Sequence, residues 1–307
     1  MSGLTDPAIL GAPERDEGGR SLWADARRRF VRNRAAMAGL VVLLLIALFA
    51  FGGGLLARHD PATVNFTLIG VNAYKGVPSL ETGYYFGTDA EGRDLYARTV
   101  QGTRLSLLIG LVGSLVAVVV GTLYGAVSGY LGGRVDGAMM RLVDILLSIP
   151  FMFVLILLLV MFGRSLLVLF VGIGLTSWLS MARIARGQTL SIKGKEFVEA
   201  AVATGVRPSR IVLRHVVPNL AGVVVVYATL LVPEMILYES FISWLGLGVQ
   251  EPNTSLGALI SAGSKQILGQ YTEPWQLWFP LGIFVAMLFS LYFVGDGLRD
   301  ALDPKDR

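Results

Sequence analysis

The chain has 307 residues, of which 54% are hydrophobic and only 16% are charged, and its formal net charge is +4. Soluble domains carry about 25% charged residues, so the composition indicates an integral membrane protein whose basic excess concerns topology and lipid headgroups rather than nucleic acid. The sequence has no cysteine, only two histidines and no GxxxxGK(S/T) motif, which excludes disulfides and zinc thiolates, argues against a histidine metal site and excludes ATP binding by a P-loop.

Residues 1–36 form a polar, basic tail. The first 19 residues are rich in Gly, Pro, Asp and Glu, and we expect them to be disordered. In the rest of the tail, Leu22, Ala26 and Phe30 recur at helical spacing while arginines fill most of the other positions. This pattern predicts a short amphipathic helix that lies on an anionic lipid surface, and a solvated basic tail is the alternative.

Six apolar stretches are long enough to cross a hydrocarbon core about 30 Å thick. A polar loop at 57–103 follows the first stretch, and a second polar loop at 249–274 separates the last two. The sequence therefore predicts an all-α membrane protein with six transmembrane helices. The predicted spans are 37–56, 105–130, 142–162, 166–182, 222–245 and 277–295.

The loop ahead of the second span ends in the run GTDAEGRD, residues 87–94. The run combines alternating carboxylates and an arginine with two glycines, a composition typical of tight turns and of charge-assisted pairing. We expect a salt-bridged turn at the membrane surface and no catalytic role.

Small residues recur every four positions along the second span. Such a stripe lets another helix approach backbone to backbone, so it indicates helix packing rather than a ligand site. The stripe comprises Gly113, Ala117, Gly121, Gly125 and Gly129.

Three acidic residues lie inside predicted spans, where a charge at mid-membrane costs about 2.5–3.5 kcal/mol and therefore usually faces water or protein. Asp144 is near one end of the third span and could reach the surface or pair with Arg141. Glu234 follows Pro233, and a proline that breaks the backbone ladder often faces a cavity. We expect Glu234 and Glu239 to face a translocation path, and a hydrogen-bonded contact between helices is the alternative.

A polar segment at 195–219 separates the fourth and fifth spans. Its composition predicts two short helices. Gly205 provides a left-handed stop for the first helix, Pro208 suits the first turn of the second, and Pro218 closes it. A helix-turn-helix this small cannot bury a core of its own, so we expect it to need a partner surface.

The distribution of basic residues sets the predicted orientation. With six spans and the N-terminus in the cytoplasm, nineteen of the 26 lysines and arginines lie on the cytoplasmic side. Both termini and the segment 195–219 are therefore predicted to be cytoplasmic.

The same polar segment carries a family resemblance. Glu199-Ala200-Ala201, then Gly205 and, thirteen residues later, Pro218 resemble the EAA loop of ATP-binding-cassette importer permeases. The resemblance implies that the first short helix is a coupling helix, which docks into a groove of a cytoplasmic ATPase.

The resemblance extends over nearly the whole chain. RSLWADARRRFVRNRAA before the first span, GTDAEGRD before the second, ESFISWLGLGVQEP after the fifth and GDGLRDALDPKDR at the end are similar to the C subunits of oligopeptide permeases. This resemblance implies the MetI-like fold of type I importers. Five core spans would lie in a domain at 104–295 with a coupling loop at 183–219, preceded by one extra span and followed by a polar tail at 296–307.

The implied function is the import of oligopeptides across the bacterial inner membrane by alternating access. A homologous second permease would complete the channel. Two ATPase subunits would bind ATP and Mg²⁺, and a periplasmic peptide-binding protein would deliver the solute and could contact the GTDAEGRD turn. This chain itself would be no enzyme and would bind no cofactor. The alternatives are a dipeptide or nickel permease, a proton-coupled secondary transporter, and a receptor or scaffold in a membrane complex.

Overall fold

The computed structural model describes residues 22–69, 76–267 and 273–302. The predicted disorder of the first 19 residues lies outside these ranges. Within them the architecture is helical, and an isolated bridge between Thr88 and Asp94 is the only β pairing. The helices are α1 Leu22–Arg32, α2 Arg34–Gly52, α3 Leu95–Leu131, α4 Gly133–Ser148, α5 Phe151–Phe162, α6 Leu166–Lys193, α7 Glu196–Ala203, α8 Pro208–Ile211, α9 Val217–Trp244, α10 Leu256–Ile267 and α11 Trp275–Leu302.

The described residues contain the six predicted membrane spans. Five continuous helices are long and apolar enough to cross a bilayer, and the bent pair α4 and α5 together meets the same criteria, which gives up to six spans. The prediction of an all-α membrane protein with six spans is therefore confirmed.

Two helices extend beyond the apolar stretches that hydropathy detects and reach into the predicted loops. α3 begins at Leu95, inside the loop predicted at 57–103, with Asp94 as its N-cap. The Asp94 carboxylate accepts the backbone N–H of Tyr96 at 2.8 Å. At the other boundary α6 continues to Lys193, eleven residues into the predicted coupling loop 183–219. The 37 residues of α3 span about 55 Å, well beyond a hydrocarbon core of about 30 Å.

The third span is broken rather than continuous. α4 and α5 meet at an angle of 78°. Pro150 lies at the break and Ile149 before it is extended, with φ −87° and ψ 125°. Proline lacks the backbone N–H that would continue the ladder, and its ring pushes the preceding residue out of the helical region.

Pro218 does not close the second short helix, which corrects the sequence-based prediction. α8 continues through a π-helical segment, Val212–Val216, directly into α9. The backbone N–H of Val217 bonds to the carbonyl oxygen of Val212, one residue further back than in an α-helix. This wider turn accommodates the proline ring that a regular helix interior would exclude. The helix therefore runs unbroken over 37 residues, from Pro208 to Trp244.

The small-residue stripe of α3 lies against α6, and this is the most extensive helix pair in the described structure. A Cβ atom at Gly121 would lie 2.5 Å from the carbonyl oxygen of Trp178, and one at Gly125 would lie 2.2 Å from that of Ala182. A Cβ at Gly129 would lie 2.9 Å from the carbonyl oxygen of Arg186. No side chain fits these sites, so the α3 and α6 backbones meet directly. At the other end of the stripe, Gly113 faces Ile173 and Ala117 is fully buried.

The N-terminal helix α1 forms as predicted and packs on α11. Ala26 is buried, and Phe30 lies against Gly297. Five arginines follow one another closely through α1 and the start of α2. The contact of this basic surface with anionic lipid remains a prediction.

Candidate functional site

The candidate site is the coupling end of the molecule, defined as α7, the turn at 204–207 and α8. It packs on the C-terminal ends of α3 and α6. One buried apolar cluster joins all of these elements to the start of α9. Its members are Ala126, Tyr130, Ala185, Val198, Ala201, Ile211, Val212, Val216 and Leu220.

The turn after α7 has the hydrogen bonds of a Schellman motif. Gly205 has φ +76°, the left-handed conformation that the sequence predicted for this position. Its N–H bonds to the carbonyl oxygen of Val202 at 3.0 Å, and the N–H of Val206 bonds to that of Ala201 at 3.1 Å. These bonds satisfy the last carbonyls of α7 and fix the direction in which α8 leaves.

The two faces of α7 differ in chemistry. Val198 and Ala201 are buried in the cluster, with 1% and 8% exposure. Glu199 and Ala200 are exposed on the other side, as is Gly205 beyond the helix. α7 also exposes two large apolar side chains, Phe197 at 43% and Val202 at 55%. Leu213, in the π-helical segment after α8, is 58% exposed.

Acidic residues occupy the first turn of α7, where they interact favourably with the helix dipole. Within the part of the chain that the structure describes, Glu199 has no ion-pair partner. The exposed surface of α7 therefore combines an unpaired carboxylate with apolar side chains, a combination suited to a protein partner that has a cationic rim and an apolar pocket.

The described ranges contain no candidate metal site. Across residues 22–69, 76–267 and 273–302, no group of three or more His, Cys, Asp or Glu side chains is close enough to hold a metal ion.

The two glutamates of α9 have different environments. Glu239 is fully buried, and its carboxylate accepts hydrogen bonds from Ser106 of α3 at 3.1 Å and Ser243 at 2.7 Å. These hydrogen bonds make an interhelical contact of the kind given as the alternative, and a place for Glu239 on a translocation path stays a prediction. Glu234 is half-buried, and the Tyr238 hydroxyl donates to it at 2.6 Å.

The GTDAEGRD run forms the predicted salt-bridged turn, at the opposite end of α3 from α7. Asp89 Oδ2 contacts Arg93 Nε at 2.8 Å and Arg98 Nε at 3.2 Å. Glu251 reaches both guanidinium groups, at 2.9 Å from Arg93 and 2.8 Å from Arg98. We call these four residues, Asp89, Arg93, Arg98 and Glu251, the distal clasp. It ties the start of α3 to the loop between α9 and α10.

Burial and nearby charges shift the pKa values of the carboxyl groups around the clasp, some upward and one downward. Burial opposes ionisation of Glu251, but the hydrogen bond and charge of Arg98, together with Arg93, outweigh it and hold its pKa below the usual range. Burial raises the pKa of Asp94. Burial, and after it the nearby charge of Asp89, raises the pKa of Glu273.

Sequence reasoning missed Arg98 and Glu251 as members of the clasp. They lie 153 residues apart, and no local pattern connects them. The N-cap at Asp94 did have a local signal, an aspartate directly before a helix-forming run. Asp144 pairs with Arg183 of α6 at 2.5 Å, and not with Arg141 as the sequence suggested.

Two family models match this chain, one in its N-terminal region and one over the rest. The family model described as "Binding-protein-dependent transport system inner membrane component" matches residues 101–307, and the model "N-terminal TM domain of oligopeptide transport permease C" matches residues 21–73.

Full-length relatives match at high identity. The oligopeptide transport system permease protein OppC of Escherichia coli (strain K12) is 58% identical over 289 residues, which cover 94% of this chain and 93% of that protein. OppC of Salmonella typhimurium (strain LT2) is 56% identical over 289 residues, which again cover 94% of this chain and 93% of that protein.

A solved structure shares the fold. A chain of the inward-facing MetNI methionine ABC transporter superposes with a TM-score of 0.54 at 19% identity, over 66% of this chain and 95% of that one. The MetI-like fold predicted from the sequence is thereby confirmed. Taken together, these matches show that the chain belongs to the family of binding-protein-dependent transport system inner membrane components.

Proposed function

We propose that this chain is a permease subunit of an ATP-driven importer of oligopeptides and forms half of its channel in the bacterial inner membrane. The names of the relatives at 58% and 56% identity support the substrate class. The family description supports delivery by a binding protein. The basic residues of α1, α6 and the coupling end support cytoplasmic termini and a cytoplasmic α7.

One observation carries the proposal: a short helix outside the membrane exposes apolar side chains that the chain itself does not cover. Phe197 and Val202 are each about half exposed although α7 lies beyond the apolar stretches of the spans. In such a place no lipid covers them, so a protein partner is expected. The EAA resemblance assigns that partner as an ATPase subunit.

The packing of α7 supports a rigid transfer of motion. Val198 and Ala201 sit in the same buried cluster as Val212 and Val216, which belong to the continuous helix Pro208–Trp244. A displacement of α7 by a nucleotide-driven ATPase would therefore move the base of that helix and the ends of α3 and α6 together. Coupling of one two-state element to another in this way underlies alternating access.

The remaining partners follow from the same assignment. ATP and Mg²⁺ bind in two ATPase subunits, a homologous second permease completes the channel, and a periplasmic peptide-binding protein approaches the end that carries the distal clasp. Glu234 and Glu239 remain the candidates for the translocation path, and Glu234 is the less buried of the two. A Glu234→Cys variant should react with a water-soluble thiol reagent in at least one transport state, and complete protection in every state would remove Glu234 from the path.

Reconstitution in proteoliposomes tests the function. We expect uptake of a labelled oligopeptide only with ATP inside, the ATPase subunits, the second permease and the binding protein all present. Uptake driven by a proton gradient without ATP would instead support a secondary transporter. No uptake by an assembled complex that hydrolyses ATP would support a receptor or scaffold, and uptake of dipeptides or nickel alone would correct the substrate class.

A further inference from the structure

A charged cavity lies between α4 and α6, and its lining includes no residue of the coupling end. Its volume is about 560 Å³, and it lies on the side of the molecule where α6 leads into α7. Its lining is polar and mostly basic. The lining residues are Gly137, Met140, Arg141, Asp144, Arg183 and Arg186.

Two of the three arginines in this cavity are already paired. Arg186 makes a bidentate contact with Asp136, with both N–O distances at 2.6 Å. Arg183 donates to Asp144 at 2.5 Å. Arg141 is exposed and has no hydrogen-bond or ion-pair partner among the residues that the structure describes. The cavity thus presents one uncompensated positive charge.

The cavity lies at the level where the apolar stretches of the third and fourth spans end. Arg141 directly precedes the apolar stretch of the third span, and Arg183 directly follows that of the fourth. Both guanidinium groups therefore lie at the level of lipid headgroups rather than in bulk water or in the hydrocarbon core.

An exposed apolar stripe flanks Arg141 along α4 and ends just past the helix, at Ile149. Its members recur at helical spacing on one face, so they form a continuous track beside Arg141. They are Leu142, Ile145, Leu146 and Ile149, with exposures of 48%, 54%, 37% and 45%. A cationic pocket with exposed apolar side chains beside it suits a phospholipid, which has a charged head and hydrocarbon chains.

We propose that this cavity binds the headgroup of an anionic phospholipid. The Arg141 guanidinium donates to the phosphodiester, with Arg183 and Arg186 beside it, and an acyl chain lies along Leu142, Ile145 and Ile149. Planar guanidinium groups suit phosphate because they can donate two parallel hydrogen bonds, and basic pockets between transmembrane helices are known sites of anionic headgroups. This site is independent of which solute the channel carries.

The test uses the full chain in its purified, delipidated complex. Dioctanoyl phosphatidylglycerol is titrated while thermal unfolding is followed, with Arg134→Gln as the matched control. Arg134 is exposed on the same helix two turns away and does not line the cavity. We expect the lipid to stabilise the wild type and Arg134→Gln equally, whereas Arg141→Gln should weaken apparent binding about tenfold, as expected for loss of a charge-assisted contact. Arg141→Lys should restore part of it.

Three further outcomes decide the assignment. Equal lipid dependence of Arg141→Gln and wild type would overturn the proposal. Equal protection by inorganic phosphate would assign the cavity to a free anion, and equal protection by dioctanoyl phosphatidylcholine would remove the preference for anionic lipid. Should Arg141→Gln not assemble, a photoreactive phosphatidylglycerol must label α4 within 136–149 in the wild type, and labelling only elsewhere contradicts the site. None of these readouts depends on peptide transport.

Discussion

At the distal end of the molecule, charged side chains satisfy one another across long sequence separations, whereas at the coupling end the exposed side chains of α7 find few partners within the chain. Arg98 of the distal clasp is only 4% exposed and contacts both Asp89 and Glu251. Phe197 and Val202 of α7 are 43% and 55% exposed. The charged side chains of the distal end are paired within the chain, whereas the apolar side chains of α7 remain exposed.

This difference shows where each end obtains its stability. The buried contact of Glu239 with Ser106 ties α3 to α9, and the clasp ties α3 to the loop after α9, so several contacts within the chain hold that end together. The coupling end is anchored by one buried face and keeps its other face for binding. A substitution at the distal end should therefore affect the folding of the chain, and one on the exposed face of α7 should affect function alone.

The largest effect is expected in the clasp. Asp89→Ala removes a carboxylate that is 10% exposed and contacts both arginines, so the two buried guanidinium groups keep only exposed carboxylates, chiefly Glu251, as partners. We expect a loss of about 3–5 kcal/mol in the free energy of unfolding, measured by denaturation of the purified complex in detergent. Glu91→Ala is the control, since Glu91 contacts the same Arg93 but is 63% exposed, and it should cost less than about 1 kcal/mol. Equal costs for the two variants would show that the clasp is not a buried unit.

A smaller effect is expected at the turn of the coupling end. Gly205→Ala places a side chain at φ +76°, which costs about 1–2 kcal/mol although the space around it is open. Hydrogen exchange of the amides at 204–206 should accelerate accordingly. Gly194→Ala is the matched control, because Gly194 also has open space but an ordinary φ of −86°. Unchanged hydrogen exchange at these amides in Gly205→Ala would contradict the role of Gly205 in the Schellman motif.

The pH-dependent contribution of Glu251 to the free energy of unfolding should be smaller still. The pKa of Glu251 is lowered in the folded chain, so its stabilising contribution is complete above an unfolded-state pKa of about 4.3 and is lost as pH falls through the lower folded-state value. The side chain is 57% exposed, so we expect less than about 1 kcal/mol. The difference in unfolding free energy between wild type and Glu251→Gln should shrink on acidification, and a difference that grows would refute this assignment.

The smallest effect on stability is expected on the exposed face of α7. Phe197→Ser combined with Val202→Ser should change the unfolding free energy by no more than about 0.5 kcal/mol, since neither side chain is buried. The same variant should lose ATP-driven oligopeptide uptake by about tenfold or more, because apolar anchors dominate binding surfaces. Val31→Ser, at a position 55% exposed on α1, should leave uptake unchanged. Full uptake by the double variant would argue against docking at this face.

The fold could be predicted from the sequence wherever the signal was local. Hydropathy located all six spans, and Gly205 marked the end of α7. The helix boundaries could not be read in this way, because polar residues such as Arg183 and Arg186 continue α6 beyond its apolar stretch.

Two prolines show the limit of a local rule. Pro150 breaks the third span, as a proline in a helix interior usually does. Pro218 was predicted to end a helix, yet the helix continues because the π-helical turn makes room for its ring. The Asn219 side chain also donates to the carbonyl oxygen of His215 at 2.6 Å. The contacts of Arg98 with Glu251 and of Asp144 with Arg183 depend on tertiary packing, so no local pattern predicted them.

Crosslinking from two neighbouring alanines tests the central claim most directly. The chain has no cysteine, so Ala200→Cys and Ala201→Cys each introduce a single thiol. Ala200 is exposed, whereas Ala201 is 8% exposed and packs in the buried cluster. In the assembled complex we predict that a short thiol crosslinker joins Ala200→Cys to an ATPase subunit and that Ala201→Cys gives little or no product. Absence of a crosslink from Ala200→Cys in a complex that hydrolyses ATP, or labelling of this position only from the periplasmic side, would contradict the account.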